Sequence, residues 1–265
     1  MNTGGLVDRE FWENRHRAES RGEIYPRPFW NLLDHDLDRI FRRHLSGWKG
    51  RSLFEAGCGA SVWLPYFAGE FGLRVSGMDY SRTGLEISRR ILEKNKVRGR
   101  LIEGDFLTES PSLSGSFDCV FSLGVVEHFE NPLPVLKTLC GFLKPEGLII
   151  TWIPNLSGLI LRLSHVLNKE MKDFYGDLDA GTLRRFHERL GCEILEARPI
   201  QFLDLMLVNL NRIPAIPRKI LALVFRATGL VGIFLSESLG LDIRSKALCA
   251  GFVVVARKPG ESTHP

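Results

Sequence analysis

Acidic residues close three successive apolar stretches in the first half of the chain. Glu55 closes the first stretch, and two glycines spaced by one residue follow it, Gly57 and Gly59. Asp79 closes the second stretch and Asp105 the third. Glycines at a strand end allow positive φ and let a ligand approach the bare backbone. This pattern predicts a ligand site made of backbone amides and carboxylates.

A fourth apolar stretch runs from Phe117 to Leu123 and leads into the segment 124–129, which holds Glu127 and His128. Four successive predicted strands thus carry polar or acidic groups at their carboxyl ends. In an open parallel sheet that edge is where ligands bind. The elements needed to position these groups are strands alternating with helices, and the apolar periodicity between the strands predicts such helices.

The four segments, in this order and spacing, resemble the class I S-adenosylmethionine-dependent methyltransferases. The resemblance covers about residues 50–153, with weaker similarity to residue 199 and near 247–257. It implies S-adenosyl-L-methionine as the cofactor. The predicted fold class is α/β, a Rossmann-like seven-stranded mostly parallel sheet with helices on both faces. An N-terminal helical lid and a helical insertion between the last two strands complete this prediction.

The resemblance also implies roles for individual segments. The glycine turn packs under the methionine part of the cofactor, and the acid ending the second strand accepts both ribose hydroxyls. The acid after the third strand holds the adenine amino group, and the segment after the fourth strand lines the methyl donor. The cofactor-binding residues implied in this way are Glu55, Gly57, Cys58, Gly59, Asp79, Tyr80, Asp105, Phe106, Ser122, Leu123 and Glu127.

A dinucleotide-binding oxidoreductase is the rival interpretation of the same glycines, since an acid about 20 residues past the turn fits that fold as well. The dehydrogenase fingerprint needs a third small residue in register, and Val62 occupies that position. It also gives no reason for Asp105 or for the Glu55 that precedes the turn. The sequence therefore favours the methyltransferase.

Composition limits the other function classes. The chain has 265 residues, 44% of them hydrophobic and 25% charged, with a formal net charge of +4. This mildly basic balance lacks the clustered basic residues among aromatics of a nucleic-acid face, so we expect a small-molecule substrate and no nucleic acid. The five cysteines are scattered and have no paired metal spacing, so neither a metal site nor a disulfide framework is predicted, and the lack of a disulfide framework favours a reducing compartment. The first residues have no apolar signal core, and we expect a cytoplasmic protein.

Residues 1–49 are predicted to form the helical lid. Asp8 is a candidate cap for a first helix, and apolar residues spaced by three and four predict a second helix from Leu32 to Leu45. The second helix packs either on the sheet or over the cofactor cleft. Tyr25 and Trp30, between the two helices, are candidate substrate contacts, and packing residues at a helix join are the alternative for them.

The rest of the chain is divided by composition and pattern. Residues 50–202 and 246–258 form the predicted cofactor-binding domain, 203–245 a helical insertion and 259–265 a disordered tail. Within the domain we expect a turn at 144–147, strands at 148–153, 192–198 and 248–256, and a helix at 179–190. The roughly 45 residues between the last two strands exceed usual loop lengths, which is the main departure from the family pattern.

Three interpretations compete for the insertion 203–245. It is a helical cap that buries its own apolar faces, the roof of a hydrophobic acceptor pocket, or an interfacial surface that touches a membrane. Its apolar runs are shorter than the roughly 20 residues of a spanning helix, so no transmembrane segment is predicted. We favour a cap with a pocket beneath it, and peripheral membrane contact stays open.

The predicted activity is methyl transfer to an O or N atom of a small, partly apolar acceptor, EC 2.1.1.-. Secondary metabolites, quinones and lipid-like molecules all fit. A sugar or nucleotide-sugar methyltransferase and a non-catalytic cofactor-binding scaffold or regulator are the alternatives. His128 is the candidate general base and substrate contact because histidine titrates in the useful range. A structural role in the cofactor pocket is the competing interpretation for His128.

Overall fold

The computed structural model describes most of the predicted domain and parts of the flanking segments. The described residues are 5–18, 32–108, 111–155, 158, 178–202, 223–224, 227, 230–232, 234, 238 and 249–260. Tyr25 and Trp30 lie outside these ranges, as do most of the insertion 203–245 and the last five residues. The predictions made for them stay predictions.

Helices and strands alternate through the described part of the chain. The helices are α1 Arg9–Ala18, α2 Leu32–Leu45, α3 Trp63–Phe71, α4 Arg82–Lys94, α5 Pro132–Phe142 and α6 Ala180–Arg189. The strands are β1 Ser52–Ala56, β2 Arg74–Asp79, β3 Gly99–Glu103, β4 Phe117–Leu123, β5 Leu143–Pro154, β6 Glu193–Phe202 and β7 Cys249–Arg257.

The strands form one seven-stranded sheet in the order β3-β2-β1-β4-β5-β7-β6 within the described residues. Neighbours pair in parallel from β3 to β5, whereas β7 runs antiparallel to both β5 and β6. The strand order reverses between β1 and β4, which is the switch point where open α/β sheets bind ligands. The predicted mostly parallel, Rossmann-like sheet is confirmed.

Both faces of the sheet are covered by apolar helices. One buried cluster combines residues of α2, α3 and α4 with one face of the sheet, and the other combines α5 and α6 with the opposite face. In the first cluster, Phe41 of α2 meets the rings of Phe67 and Phe121 at centroid distances of 4.7 and 5.4 Å. The helix α2 therefore packs on the sheet, one of the two places considered for it.

Helix starts follow the capping chemistry expected from the sequence. Asp8 Oδ1 accepts a hydrogen bond of 2.8 Å from the Phe11 amide at the start of α1. Ser81 Oγ accepts from the Gly84 amide at 3.0 Å at the start of α4. Such caps satisfy backbone donors that a helix leaves unpaired. These two caps fix the residues at which α1 and α4 begin.

The boundaries of β5 differ from the sequence prediction. The segment 144–147 was expected to be a turn before the strand, but β5 already begins at Leu143, which pairs with Phe117. The register then shifts, and the next pair is Cys119 with Leu148. Glu146 adopts a φ of 62°, so the predicted turn is present as a bulge inside the strand.

Replacing Phe41 by Ala should lower the free energy of unfolding by about 3–5 kcal/mol, because the ring is 0% exposed and its removal leaves a cavity between α2 and the sheet. Urea denaturation measures the loss. Leu230→Ala is the matched control, since this side chain is 47% exposed, and we expect a change within about 0.5 kcal/mol. Equal effects of the two variants would contradict the packing described for α2.

Candidate functional site

The glycine turn after β1 lies against both neighbouring strand ends. Gly57 has a φ of 67°, and the amides of Gly57 and Cys58 both donate to the Met78 carbonyl at 2.9 and 3.2 Å. A Cβ atom on Gly57 would stand 2.5 Å from Cγ2 of Val125, which follows β4. The backbone conformation and the close approach both require glycine here.

Glu55 lies beneath this turn. Its Oε2 accepts a hydrogen bond of 2.6 Å from Ser61 Oγ, and Ser61 Oγ in turn accepts from the amides of Trp63 and Leu64 at 3.1 Å each. The carboxylate thus links the strand end to the start of α3. Its predicted contact with the cofactor stays a prediction.

The Cys58 side chain points into the protein. A Cβ atom on Gly77 of β2 would stand 2.5 Å from Cys58 Sγ, so the thiol fills the space above that glycine. Burial, aided by the charges of Asp79 and Glu55, raises the pKa of the Cys58 thiol well above its ordinary value. This residue supports the turn by packing and by its backbone amide.

Asp79 joins the glycine turn to the start of α4. One carboxylate oxygen accepts from the Gly59 amide at 2.8 Å and the other from the Ser81 amide at 2.7 Å. The residue is only 8% exposed, and desolvation raises its pKa to about 6 although both backbone donors act in the opposite direction. A carboxylate has about four acceptor positions, so two remain for a ligand.

The end of β3 lies beside the end of β2. The Gly104 amide donates to the Asp79 carbonyl at 3.1 Å, and Asp105 Oδ1 accepts from the Leu107 amide at 2.8 Å. Burial, and then the charges of Asp79 and Asp105, raise the pKa of Tyr80 above its ordinary value. Tyr80 and Asp105 are thus near Asp79, as the strand spacing predicted.

Phe106 and Leu123 occupy different surroundings. Phe106 is buried in the same apolar cluster as Ala56 and Met78, at the ends of β1 and β2. Leu123 is half-buried and packs against the opposite cluster. The structure therefore brings Phe106 close to the ends of the two central strands, whereas the Leu123 side chain lies on the other face of the sheet.

Buried polar atoms without partners mark the end of β4. Among the described residues, Ser122 Oγ, Glu127 Oε2 and Trp152 Nε1 have no hydrogen-bond partner. Glu127 is 1% exposed, and desolvation raises its pKa to about 8. Unsatisfied buried groups are rare in native proteins. A polar ligand at the end of β4 would supply the missing partner of Glu127 Oε2.

His128 ends the short 3-10 turn Val126–His128 that follows β4. It is buried, its ring meets that of Trp12 edge-on with centroids 5.1 Å apart, and its carbonyl accepts from the Leu6 amide at 2.8 Å. The segment before α1 therefore pairs with the residues predicted to line the methyl donor.

The helix α1 lies across this edge of the sheet, a placement that the sequence did not specify. The Glu13 carboxylate accepts from the amides of Arg82 and Thr83 at 2.7 and 3.3 Å, at the start of α4. Arg9 forms an ion pair of 2.8 Å with Glu103 of β3. In the sequence, the only signal for this placement is that Arg9 and Glu13 lie four residues apart and so share one face of α1. Their partners on α4 and β3 lie about 70 and 94 residues away along the chain.

Comparisons with known proteins agree with this geometry. Residues 54–151 match the family model described as a methyltransferase domain. The ubiquinone biosynthesis O-methyltransferase of Actinobacillus pleuropneumoniae is 26% identical over 117 residues, 43% of this chain and 49% of that protein. The tRNA U34 carboxymethyltransferase of Hydrogenovibrio crunogenus is 31% identical over 147 residues, 52% of this chain and 43% of that protein.

Residues 54–151 thus match a methyltransferase domain, and the fold is that of the class I S-adenosylmethionine-dependent methyltransferases. The chain spans about half the length or less of these two relatives. A methyltransferase solved in complex with the Trm112 activator of Haloferax volcanii has the same fold, with a TM-score of 0.63 at 17% identity, over 96% of this chain and 97% of that one. No helix among the described residues is long and apolar enough to cross a membrane.

Glu127→Gln should stabilise the ligand-free protein above about pH 8 by about 1–3 kcal/mol, because it removes an unsatisfied buried charge. The pKa of Glu127 is about 8 in the folded protein against an ordinary 4.5, so between these values the folded state keeps a proton that the unfolded chain has released. The stability of the unaltered protein therefore falls as pH rises through this window, and the variant lacks that component.

Urea denaturation at about pH 5 and about pH 8.5 measures the effect. The exposed neighbour Glu130→Gln is the control, and its stability should follow that of the unaltered protein at both values. A Glu127→Gln variant with an unchanged pH dependence would show that this carboxyl is not desolvated.

Proposed function

We propose that the chain is an S-adenosyl-L-methionine-dependent methyltransferase, EC 2.1.1.-, that acts on an O or N atom of a small, partly apolar acceptor. The observation that carries the proposal is the position of Asp79. Its carboxylate accepts from the amide of Gly59 in the turn after β1, is buried, and keeps acceptor capacity for two more donors. Vicinal ribose hydroxyls are donors of that kind.

The residues at the sheet edge suit the rest of this cofactor. At Gly57 and Gly59 the backbone lies so close to Val125 and His16 that no Cβ atom would fit, and Asp105 follows β3, the strand beside β2. At the end of β4, Glu127 Oε2 and Ser122 Oγ have no hydrogen-bond partner within the described part of the chain. The cofactor supplies a methyl group on a sulfonium, which needs no further activation.

The task left to the protein is to position the acceptor and to exclude water. Holding two reactants in line lowers a barrier of this kind by about 7–11 kcal/mol. The helix α1 lies over the edge, with Trp12 against His128. Burial of Glu127 and His128 supports a site shielded from solvent. We infer that methyl transfer takes place beneath α1, near the end of β4.

Proton removal depends on the acceptor atom. An amine needs only to arrive unprotonated, whereas a hydroxyl gains from a general base. His128 is the base proposed for a hydroxyl acceptor, and Glu127, with a pKa of about 8, is a second candidate in the preceding position. The lack of a partner for Glu127 Oε2 among the described residues favours a role at the ligand.

The acceptor class is proposed from the insertion. Its described positions are helical and carry exposed apolar side chains, namely Leu223, Val224, Leu230, Val231 and Phe234. Exposed apolar surface on this insertion supports a partly apolar small molecule in preference to a sugar or nucleotide sugar. A non-catalytic scaffold would bind the cofactor equally well and differs only in turnover. Absence of a nucleic acid partner and cytoplasmic location remain proposals.

Asp79→Ala should weaken binding of S-adenosylhomocysteine by about 10- to 150-fold, because a hydrogen bond to a charged group contributes about 1.5–3 kcal/mol. Isothermal titration calorimetry measures the change. Asp118→Ala is the matched control, since Asp118 lies near the other end of β4, where it binds Lys144 and Ser52. The control should lose stability but keep its affinity.

Undiminished affinity of Asp79→Ala would remove this residue from the cofactor site. Titration with NADH tests the oxidoreductase alternative, and tighter binding of NADH than of S-adenosylhomocysteine would overturn the proposal.

His128→Ala should reduce turnover of a hydroxyl acceptor, found by screening acceptor pools with isotopically labelled cofactor, by about 10²–10⁴-fold. Affinity for S-adenosylhomocysteine should change little if the imidazole serves only as a base. A parallel loss of affinity and turnover would instead assign His128 to the cofactor pocket.

A further inference from the structure

His16 occupies a notch between two glycines. A Cβ atom on Gly59 would stand 2.5 Å from His16 Nε2, and one on Gly84 would stand 2.9 Å from His16 Cδ2. The Cβ position of Gly84 is also only 2.8 Å from the Gly59 Cα. Glycine inside a helix such as α4 costs about 1 kcal/mol relative to alanine, and the close approach of these groups explains its presence here. The notch exists because both residues lack side chains.

The imidazole in this notch lies next to the Asp79 carboxylate. The Cβ position of Gly59 that is 2.5 Å from His16 Nε2 is also 2.9 Å from Asp79 Oδ2. A ring nitrogen and a carboxylate oxygen therefore both face the position that a side chain on Gly59 would take. Both residues are buried. Any group that binds to Asp79 beside Gly59 comes close to the imidazole.

The contacts of α1 hold His16 in this place. Glu13, three residues before it, binds the first amides of α4, and Trp12, one turn before it, packs on His128. Arg9 binds Glu103 at the end of β3. These partners belong to three different segments of the proposed cofactor site. The position of His16 is thus fixed by the same strand ends that would surround the cofactor.

We propose that His16 is a cofactor-binding residue, whose imidazole contacts the ribose together with Asp79, and that Glu13 is the residue that positions it. This inference rests on the proposed function and adds a residue of α1 to the proposed cofactor site. A neutral imidazole has one donor and one acceptor nitrogen, and a hydroxyl can bind either of them. The ribose is thus held between a carboxylate of the sheet edge and an imidazole of α1.

Calorimetric titration of the full chain with S-adenosylhomocysteine tests the proposal. His16→Ala should weaken binding at least tenfold, and His16→Gln should recover part of the loss because its amide also hydrogen-bonds. Glu10→Gln, an exposed substitution on the same helix, is the control and should bind like the unaltered protein. Glu13→Gln should speed release of the ligand in stopped-flow experiments, since α1 loses a charged anchor on α4.

A cofactor analogue that lacks both ribose hydroxyls distinguishes a direct contact of His16 with the ribose from a role of His16 in holding α1 in place. If His16 touches the ribose, the penalty for removing the hydroxyls should be several-fold smaller in His16→Ala than in the unaltered protein. An identical penalty in both proteins would mean that His16 only holds α1, and it would overturn the proposal.

The remaining outcomes are equally decisive. Unchanged or tighter binding by His16→Ala, while Asp79→Ala is weakened, would overturn the role of His16 and leave the proposed function intact. Failure of the unaltered protein to bind S-adenosylhomocysteine would overturn both.

Discussion

The hydrogen bonds of the Asp79 carboxylate hold the functional edge of this protein together. One oxygen binds the Gly59 amide and the other the Ser81 amide, so one side chain joins the end of β2, the glycine turn after β1 and the start of α4. The raised pKa of Asp79 shows that this buried position disfavours the charge. A ligand that donates hydrogen bonds would relieve that cost, so the proposed binding role and the structural link use the same carboxylate.

The segments around this link meet at one edge of the sheet. The glycine turn contacts Val125 after β4, and α1 contacts α4, the end of β3 and His128. The cost of the arrangement is visible at Glu127, a carboxyl with no partner for Oε2 among the described residues. Buried polar groups of this kind cluster at functional sites. A ligand at this edge, as proposed, would offset that cost.

The sequence predicted the parts of this site that depend on neighbouring residues. A glycine pair after an apolar run, and acids at the ends of two further runs, are local patterns that fix β1, β2 and β3 and place Asp79 beside Gly59. The bulge at Glu146 escaped prediction because a left-handed residue within a strand depends on pairing with β4. His16 and Glu13 escaped it because their partners are glycines and backbone amides about 40 to 70 residues away, which leave no periodic trace.

The central claim is that this edge holds the nucleoside of a sulfonium cofactor between neighbouring strand ends. A crystal structure of the protein with S-adenosylhomocysteine tests it most directly. The account predicts ribose oxygens about 2.6–3.2 Å from the Asp79 carboxylate and the adenine beside Asp105. A nucleoside bound elsewhere, with Asp79 still joined only to Gly59 and Ser81, would contradict it.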